Sequence, residues 1–178
     1  VRYPEAAVAA INAAMTGHGV WGTIHANNAF GIIPRMVSLL NAANFVEAME
    51  HFCDPNVLAG LTYQRLVPVL CPHCKIPLRD IVGCKGSSAS LPEKQFDILA
   101  SVLKSDELEN VHVRGEGCEH CKKMGFVRQT VAAEVVATDP QMLTLLRQGK
   151  ATEARAYWIQ EKQGLSYVRH ALDLISKG

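Results

Sequence analysis

Thr16-Gly17-His18-Gly19-Val20-Trp21-Gly22-Thr23-Ile24-His25-Ala26-Asn27-Asn28 is the stretch on which the reading of this chain turns. Gly17 and Gly19 punctuate its entry, because glycine tolerates the positive φ of a helix stop. Over residues 20–25 a period of two predicts a short strand. Val20, Gly22 and Ile24 share one face, and Trp21, Thr23 and His25 the other. Polar groups at the carboxyl end of such a strand lie where open α/β sheets bind their ligands. A histidine capping a turn accounts for His25 taken alone. Two histidines bracketing one strand, followed by two asparagines, move the reading toward a site.

Upstream, Pro4-Glu5 opens a helix whose packed face is Val8, Ile11, Ala14 and Met15. Downstream, Asn27 or Asn28 serves as N-cap for a helix through Ile32, Ile33, Met36, Val37, Leu39 and Leu40, with Arg35 a turn or two beyond the asparagines. Residues 44–52 predict a short helix, whose Glu47, Glu50 and His51 read as a solvated face rather than a metal site. Residues 57–70 run into a first cysteine pair. Residues 83–90 read as a loop, and Leu91-Pro92-Glu93 starts a helix through Phe96, Leu99, Val102 and Leu103 that ends near Lys104-Ser105. A strand around residues 111–113 leads to a second cysteine pair. Residues 127–137 predict a strand with Val131, Ala133, Val135 and Ala137 on one face. Asp139-Pro140 caps a helix closed by Gly149, and two more helices follow over residues 152–163 and 166–176.

With 178 residues, 48% of them hydrophobic, the chain is long and apolar enough for a substantial core. A net charge of +1 makes no electrostatic case for nucleic acid, and Lys122-Lys123 with scattered arginines form no basic face interleaved with aromatics. No apolar run approaches the roughly 18 residues of a membrane-spanning helix. The first residue is Val, which reads as a piece of a longer protein.

Of the six cysteines, Cys71-Pro72-His73-Cys74 and Cys118-Glu119-His120-Cys121 form two knuckles, each placing two thiolates on one side of a tight turn. Without an export signal, this points to metal binding in a reducing cytosol rather than to disulfides. Four thiolates complete a closed tetrahedral Zn²⁺ shell, although the gap between the pairs is wider than in a zinc ribbon. His73 and His120 are weaker candidates than the sulfurs. Cys53 reads as a core residue and Cys84 as a spare thiol in a loop.

The opening stretch resembles the histidine box of the type II secretion and type IV pilus assembly ATPases, which read Thr-Gly-His, a short strand, then Thr-Leu-His-Thr-Asn. Thr16-Gly17-His18 and Thr23-Ile24-His25-Ala26-Asn27 carry that match. Val1-Arg2-Tyr3-Pro4-Glu5 is similar to the segment just past the family's Walker B Gly-Glu, with Tyr3 in place of Asp and Ala6 in place of Thr. Gln64-Arg65-Leu66-Val67, Leu70-Cys71-Pro72 and the run from Gly117 through Cys118, Cys121, Gly125 and Phe126 match too, with Arg128 and Glu134 where the family has its Arg and Glu.

The resemblance implies an α/β fold. Its first part would be the later half of a RecA-like P-loop NTPase core, a parallel sheet with flanking helices, joined to a zinc-bound, mostly helical C-terminal region. The implied divisions are 1–70 (core), 71–125 (tetracysteine element with helical insert) and 126–178 (strand and terminal helices). It further implies ATP with Mg²⁺ as nucleotide. His25 would be a γ-phosphate sensor, His18 a second box member, and Arg2 would lie just past the Walker B acid. Asn27, Arg35, Gln64 and Arg65 would lie on the nucleotide side, and Cys71, Cys74, Cys118 and Cys121 would hold structural zinc. The expected assembly is a hexamer that drives an inner-membrane platform protein from the cytoplasm. The tetracysteine element favours assembly or secretion over retraction, and the His-Ala-Asn variant points to the plasmid or conjugative type IVb subgroup. No Gly-x-x-x-x-Gly-Lys-Ser/Thr occurs, so this stretch by itself is expected not to turn over ATP. The alternative is a zinc-dependent protein-interaction module without nucleotide chemistry.

Overall fold

The computed structural model describes residues 1–81 and 93–177, leaving out the side chain of Glu93. The expected loop over residues 83–90, Cys84 and the Leu91-Pro92 helix start lie outside the described residues. In chain order the elements are α1 (Pro4–Met15), α2 (Ile32–Ala42), α3 (Ala48–Phe52), β1 (Gly60–Leu70), β2 (Ile76–Pro77), a 3₁₀ turn (Leu78–Asp80), α4 (Glu93–Val102), α5 (Ser105–Glu109), β3 (His112–Val113), β4 (Phe126–Ala137), α6 (Pro140–Arg147), α7 (Ala151–Gln160) and α8 (Tyr167–Ile175). They form two compact units. One comprises Val1–Gln64 with Ala133–Tyr167, the other Arg65–Ala132 with Val168–Gly178.

In the first unit, α1 begins at Pro4 with Glu5 in its first turn, and the Thr16 hydroxyl donates to the carbonyls of Asn12 and Ala13 where it ends. Its buried residues are Ala7 and Ile11, whereas Met15 is exposed, so the packed face is rotated from the expected one. Asn28 Oδ1 accepts the Gly31 N–H at 2.8 Å, holding a turn that leads into α2. That helix buries Ile33, Met36, Leu39 and Leu40 and keeps Pro34 in its first turn, where the missing N–H does no harm. The helix expected over residues 44–52 shortens to α3, because Asn44 and Glu47 adopt φ of 56° and 53° and turn the chain left-handed before it. Asp139 caps α6 by accepting the Met142 N–H at 2.9 Å. Around Leu40, Met142, Leu143 and Leu146, all at most 1% exposed, the core closes with Phe30 against Trp158 at 5.9 Å between ring centroids.

Two expectations for the strands are corrected. Residues 18–26 form no strand: among the described residues no neighbour offers them a ladder, and a strand's hydrogen bonds exist only with a partner. β4 is formed as expected but buries the opposite face. Ala132, Glu134 and Val136 are at most 1% exposed while Val135 is 69% exposed. The described sheets are both two-stranded. In β1–β4, Thr138 N–H bonds the Ala59 carbonyl at one end and Cys71 N–H the Gly125 carbonyl at the other, as in an antiparallel pair.

In the second unit, β2 and β3 pair antiparallel, Ile76 opposite Val113 and Pro77 opposite His112. Leu78, Ile81, Leu103 and Val111 form a small core, against which Phe96, Leu99, Leu108 and Leu172 pack. α4 ends at Val102, close to the expected stop, and a separate short helix, α5, follows it before β3. The Glu107 carboxylate accepts the Lys104 N–H at 2.9 Å and so starts α5.

Candidate functional site

Both knuckles fold as tight turns. The N–H groups of Cys74 and Lys75 return to the Cys71 carbonyl, and that of Lys123 to the Cys118 carbonyl. The second turn needs its glycines. Gly117 has φ of 100°, and a Cβ there would stand 2.4 Å from the Lys123 carbonyl carbon. At Gly115 a Cβ would stand 1.9 Å from the Cys74 carbonyl oxygen, so absence of a side chain is what lets the two knuckle segments approach.

The four sulfurs of Cys71, Cys74, Cys118 and Cys121 converge within 4.8 Å of one another, the one such ligand cluster among the described residues. Cys71–Cys118 and Cys74–Cys121 are 3.8 Å apart and Cys118–Cys121 is 3.9 Å. These are not disulfide distances, which are about 2.05 Å. A tetrahedron with metal–sulfur bonds of about 2.3 Å has sulfur–sulfur edges of about 3.8 Å. The residues present therefore fit a four-coordinate zinc ion.

Their surroundings shift two of these thiols in opposite directions. Cys121 accepts N–H bonds from Cys118 at 3.2 Å and Gly125 at 3.1 Å. The Cys118 N–H is the main cause that lowers its thiol to about 6, against opposing burial and with help from the Gly125 N–H. Burial, followed by the sulfur contacts with Cys71, Cys121 and Cys118, pushes Cys74 up to about 12. A Zn²⁺ ion among the four sulfurs would hold each of them as a thiolate. With all four sulfurs used as ligands, no coordination position stays open for substrate. His73 and His120 lie outside the cluster as exposed rings 4.2 Å apart between centroids.

The other predicted residues lie at the surface. Arg2, His18, His25, Asn27, Arg35, Gln64 and Arg65 are all exposed. Among the described residues no hydrogen bond or ion pair joins Arg2, His18, His25, Asn27 and Arg35 to one another. His18 Nδ1 lies 3.1 Å from the Thr16 hydroxyl. The Val1 nitrogen bonds the Thr23 carbonyl, which sets Arg2 beside the histidine segment. Ile24 and Ala26 are partly buried, Ile24 against the core, so His25 between them faces outward.

Glu134 is the functional candidate that pattern reading did not single out by role. It is the one buried charged residue of the described core, at 0% exposed. Its carboxylate accepts the Ala29 N–H at 2.8 Å and the Tyr167 N–H at 3.3 Å, and the Arg155 guanidinium lies 3.6 Å away. The available signal was a lone acid within an otherwise apolar strand segment, Val131-Ala132-Ala133-Glu134-Val135-Val136.

Comparison with known proteins gives the family. The Type II/IV secretion system protein family matches residues 1–178, the whole chain. Type II secretion system protein E of Pseudomonas aeruginosa is 32% identical over 149 residues, covering 82% of this chain and 25% of its own length. Type IV pilus assembly ATPase TfpB of Acinetobacter baylyi is 29% identical over 174 residues, 96% of this chain and 26% of its own. Type II secretion system ATPase E of Vibrio cholerae is 28% identical over 154 residues, 86% of this chain and 26% of its own. The chain thus spans about a quarter of the length of these relatives. A match along its full length, together with the paired cysteine knuckles, places this chain in the Type II/IV secretion system protein family.

Proposed function

We propose that this chain is the later part of an ATP-hydrolysing motor that powers type IV pilus assembly or type II secretion, with residues 1–70 contributing to a RecA-like core whose parallel sheet is completed by the P-loop half. The single observation that carries the reading is the outward presentation of His25 between inward Ile24 and Ala26, in a chain of this family. The γ-phosphate of MgATP would meet His25, with His18 and Arg2 beside it and Asn27, Arg35, Gln64 and Arg65 on the nucleotide side. An imidazole there acts by hydrogen bonding and gains charge next to phosphate. Hydrolysis itself needs the phosphate-cradling loop and the acid that holds Mg²⁺.

In this reading residues 71–125 form a tetracysteine element with a helical insert, and residues 126–178 a strand with terminal helices. Cys71, Cys74, Cys118 and Cys121 would hold zinc, which supplies folding energy and no chemistry. The assembled protein would be a hexamer working from the cytoplasm on an inner-membrane platform protein, with the type IVb pilus subgroup as its nearest setting. No helix of the described residues is long and apolar enough to cross a membrane.

The test joins the chain to its P-loop half and compares ATP turnover with that of His25→Ala. Turnover in the parent and a loss of about tenfold or more in the variant, about 1.4 kcal/mol at the barrier, supports the motor and the role of His25. No turnover in a folded, zinc-loaded parent transfers the function to a zinc-dependent interaction module.

A further inference from the structure

A carboxylate that is 0% exposed on a two-stranded antiparallel pair is costly to bury, and an apolar side chain of similar size would pack there without that cost. What an apolar side chain could not do is accept hydrogen bonds, and both oxygens of Glu134 are spent on main-chain N–H groups remote in sequence. Oε2 takes the N–H of Ala29 at 2.8 Å across 105 positions, and Oε1 takes that of Tyr167 at 3.3 Å. Arg155 of α7 balances the charge at 3.6 Å. Ala29 is itself 0% exposed and sits in the turn closed by Asn28 Oδ1 on the Gly31 N–H. That turn is the only regular structure between the histidine segment and α2. The preceding residues 18–26 have no ladder of their own. The Ala29 N–H bond is therefore the nearest buried polar anchor downstream of His25, four residues away.

We infer that Glu134 is a positioning residue: its carboxylate clamps the Ala29 amide and so sets where the His25–Asn28 segment stands. The functional part of this inference rests on the proposed nucleotide role of His25; the clamp does not. A charged acceptor suits the task, because N–H bonds to a carboxylate are shorter and stronger than those to a neutral oxygen. Only an acid presents two acceptor oxygens and no donor. Glu134→Gln keeps the shape but turns one arm into a donor facing an N–H, so one bond must fail. Glu134→Leu removes both acceptors at similar volume.

Residue-resolved amide exchange on this chain tests the clamp. In Glu134→Gln the Ala29 or the Tyr167 amide should exchange about tenfold faster or more, and in Glu134→Leu both should, while the core amides of α6 keep their protection. Equal loss of protection in α6 would make Glu134 an ordinary core residue, and unchanged exchange at both amides in Glu134→Gln would remove the clamp altogether. If Glu134→Leu fails to fold, Glu134→Gln alone decides.

In the protein joined to its P-loop half, Glu134→Gln should lower kcat about fivefold or more with the KM for ATP held within about twofold, since a misplaced group loses orientation before binding. A loosened Ala29 amide with unchanged kcat would overturn the link to His25. A parent without any turnover would refute the motor reading and leave the clamp to be judged by exchange.

Discussion

Replacing Gly115 by alanine adds one methyl group and tests the metal centre from its weakest geometric tolerance. A Cβ at this position would sit 1.9 Å from the Cys74 carbonyl oxygen, whereas real Cβ contacts stay beyond 3.0 Å. The difference, 3.0 minus 1.9, requires the Cys74 backbone and the Gly115 segment to part by about 1.1 Å. That is roughly five times the 0.2 Å tolerance on metal–ligand distances. Cys74 carries a sulfur now 3.8 Å from that of Cys121, so the separation opens an edge of the tetrahedron. Displacement of a ligand's support costs about 10–100-fold in affinity, or about 1.4–2.7 kcal/mol. Competition against a chromophoric chelator measures that loss, and Co²⁺ substituted for zinc reports the tetrahedral thiolate set by its visible absorption. Gly19→Ala is the control, because a Cβ there meets nothing within 4 Å. Zinc held by Gly115→Ala within about twofold of the parent would refute the argument from this contact. A parent that binds no zinc would refute the metal centre.

The other predictions concern the first unit. Burial resists ionisation of Asp139, but the Met142 N–H, the Lys162 ammonium at 2.9 Å and the Tyr157 hydroxyl at 3.0 Å outweigh it and hold the carboxyl below its usual value. A depressed pKa stabilises the fold fully above the unfolded value of about 3.9 and loses that contribution as pH falls through the folded one. Urea midpoints of Asp139→Asn, which keeps the capping oxygen, should therefore fall less between pH 6 and 3 than those of the parent, and Asp139→Ala should lose about 1 kcal/mol at neutral pH. Leu40→Ala, at a site 0% exposed, should lower unfolding free energy by about 2–5 kcal/mol in chemical denaturation. Trp21→Ala removes a larger side chain that is 95% exposed, and its stability should stay within about 0.5 kcal/mol of the parent.

Much of the local structure was legible because it depends on neighbouring residues alone. Pro4 and Asp139-Pro140 mark helix starts, since one supplies a preset φ and the other a capping oxygen within three residues. Cys71/Cys74 and Cys118/Cys121 declare two turns whose shape is set by their spacing, and the structure brings all four sulfurs together. The site was legible less evenly. The histidine segment was found by its residues, yet its strand is not formed, because a period of two describes side-chain faces and does not supply a ladder.

β4 shows the same division in one element. Residues 127–137 were readable as a strand from their β-branched and small side chains, but alternation left both faces apolar enough to be buried. Val131, Ala133, Val135 and Ala137 stood on one face, and Ala132, Glu134 and Val136 on the other. The choice between them belonged to partners far along the chain. Ala29, Arg155 and Tyr167 converge on the face that carries the acid, and Leu61 and Tyr63 are buried in the same core as Val136. Spacing along the chain determined the turns, the helix starts and the cysteine pairs, where the forces act over a few residues. The buried face, the pairing of the knuckles and the anchor on Ala29 were decided in three dimensions, because a hydrogen bond or a packed contact has no energy until both groups arrive.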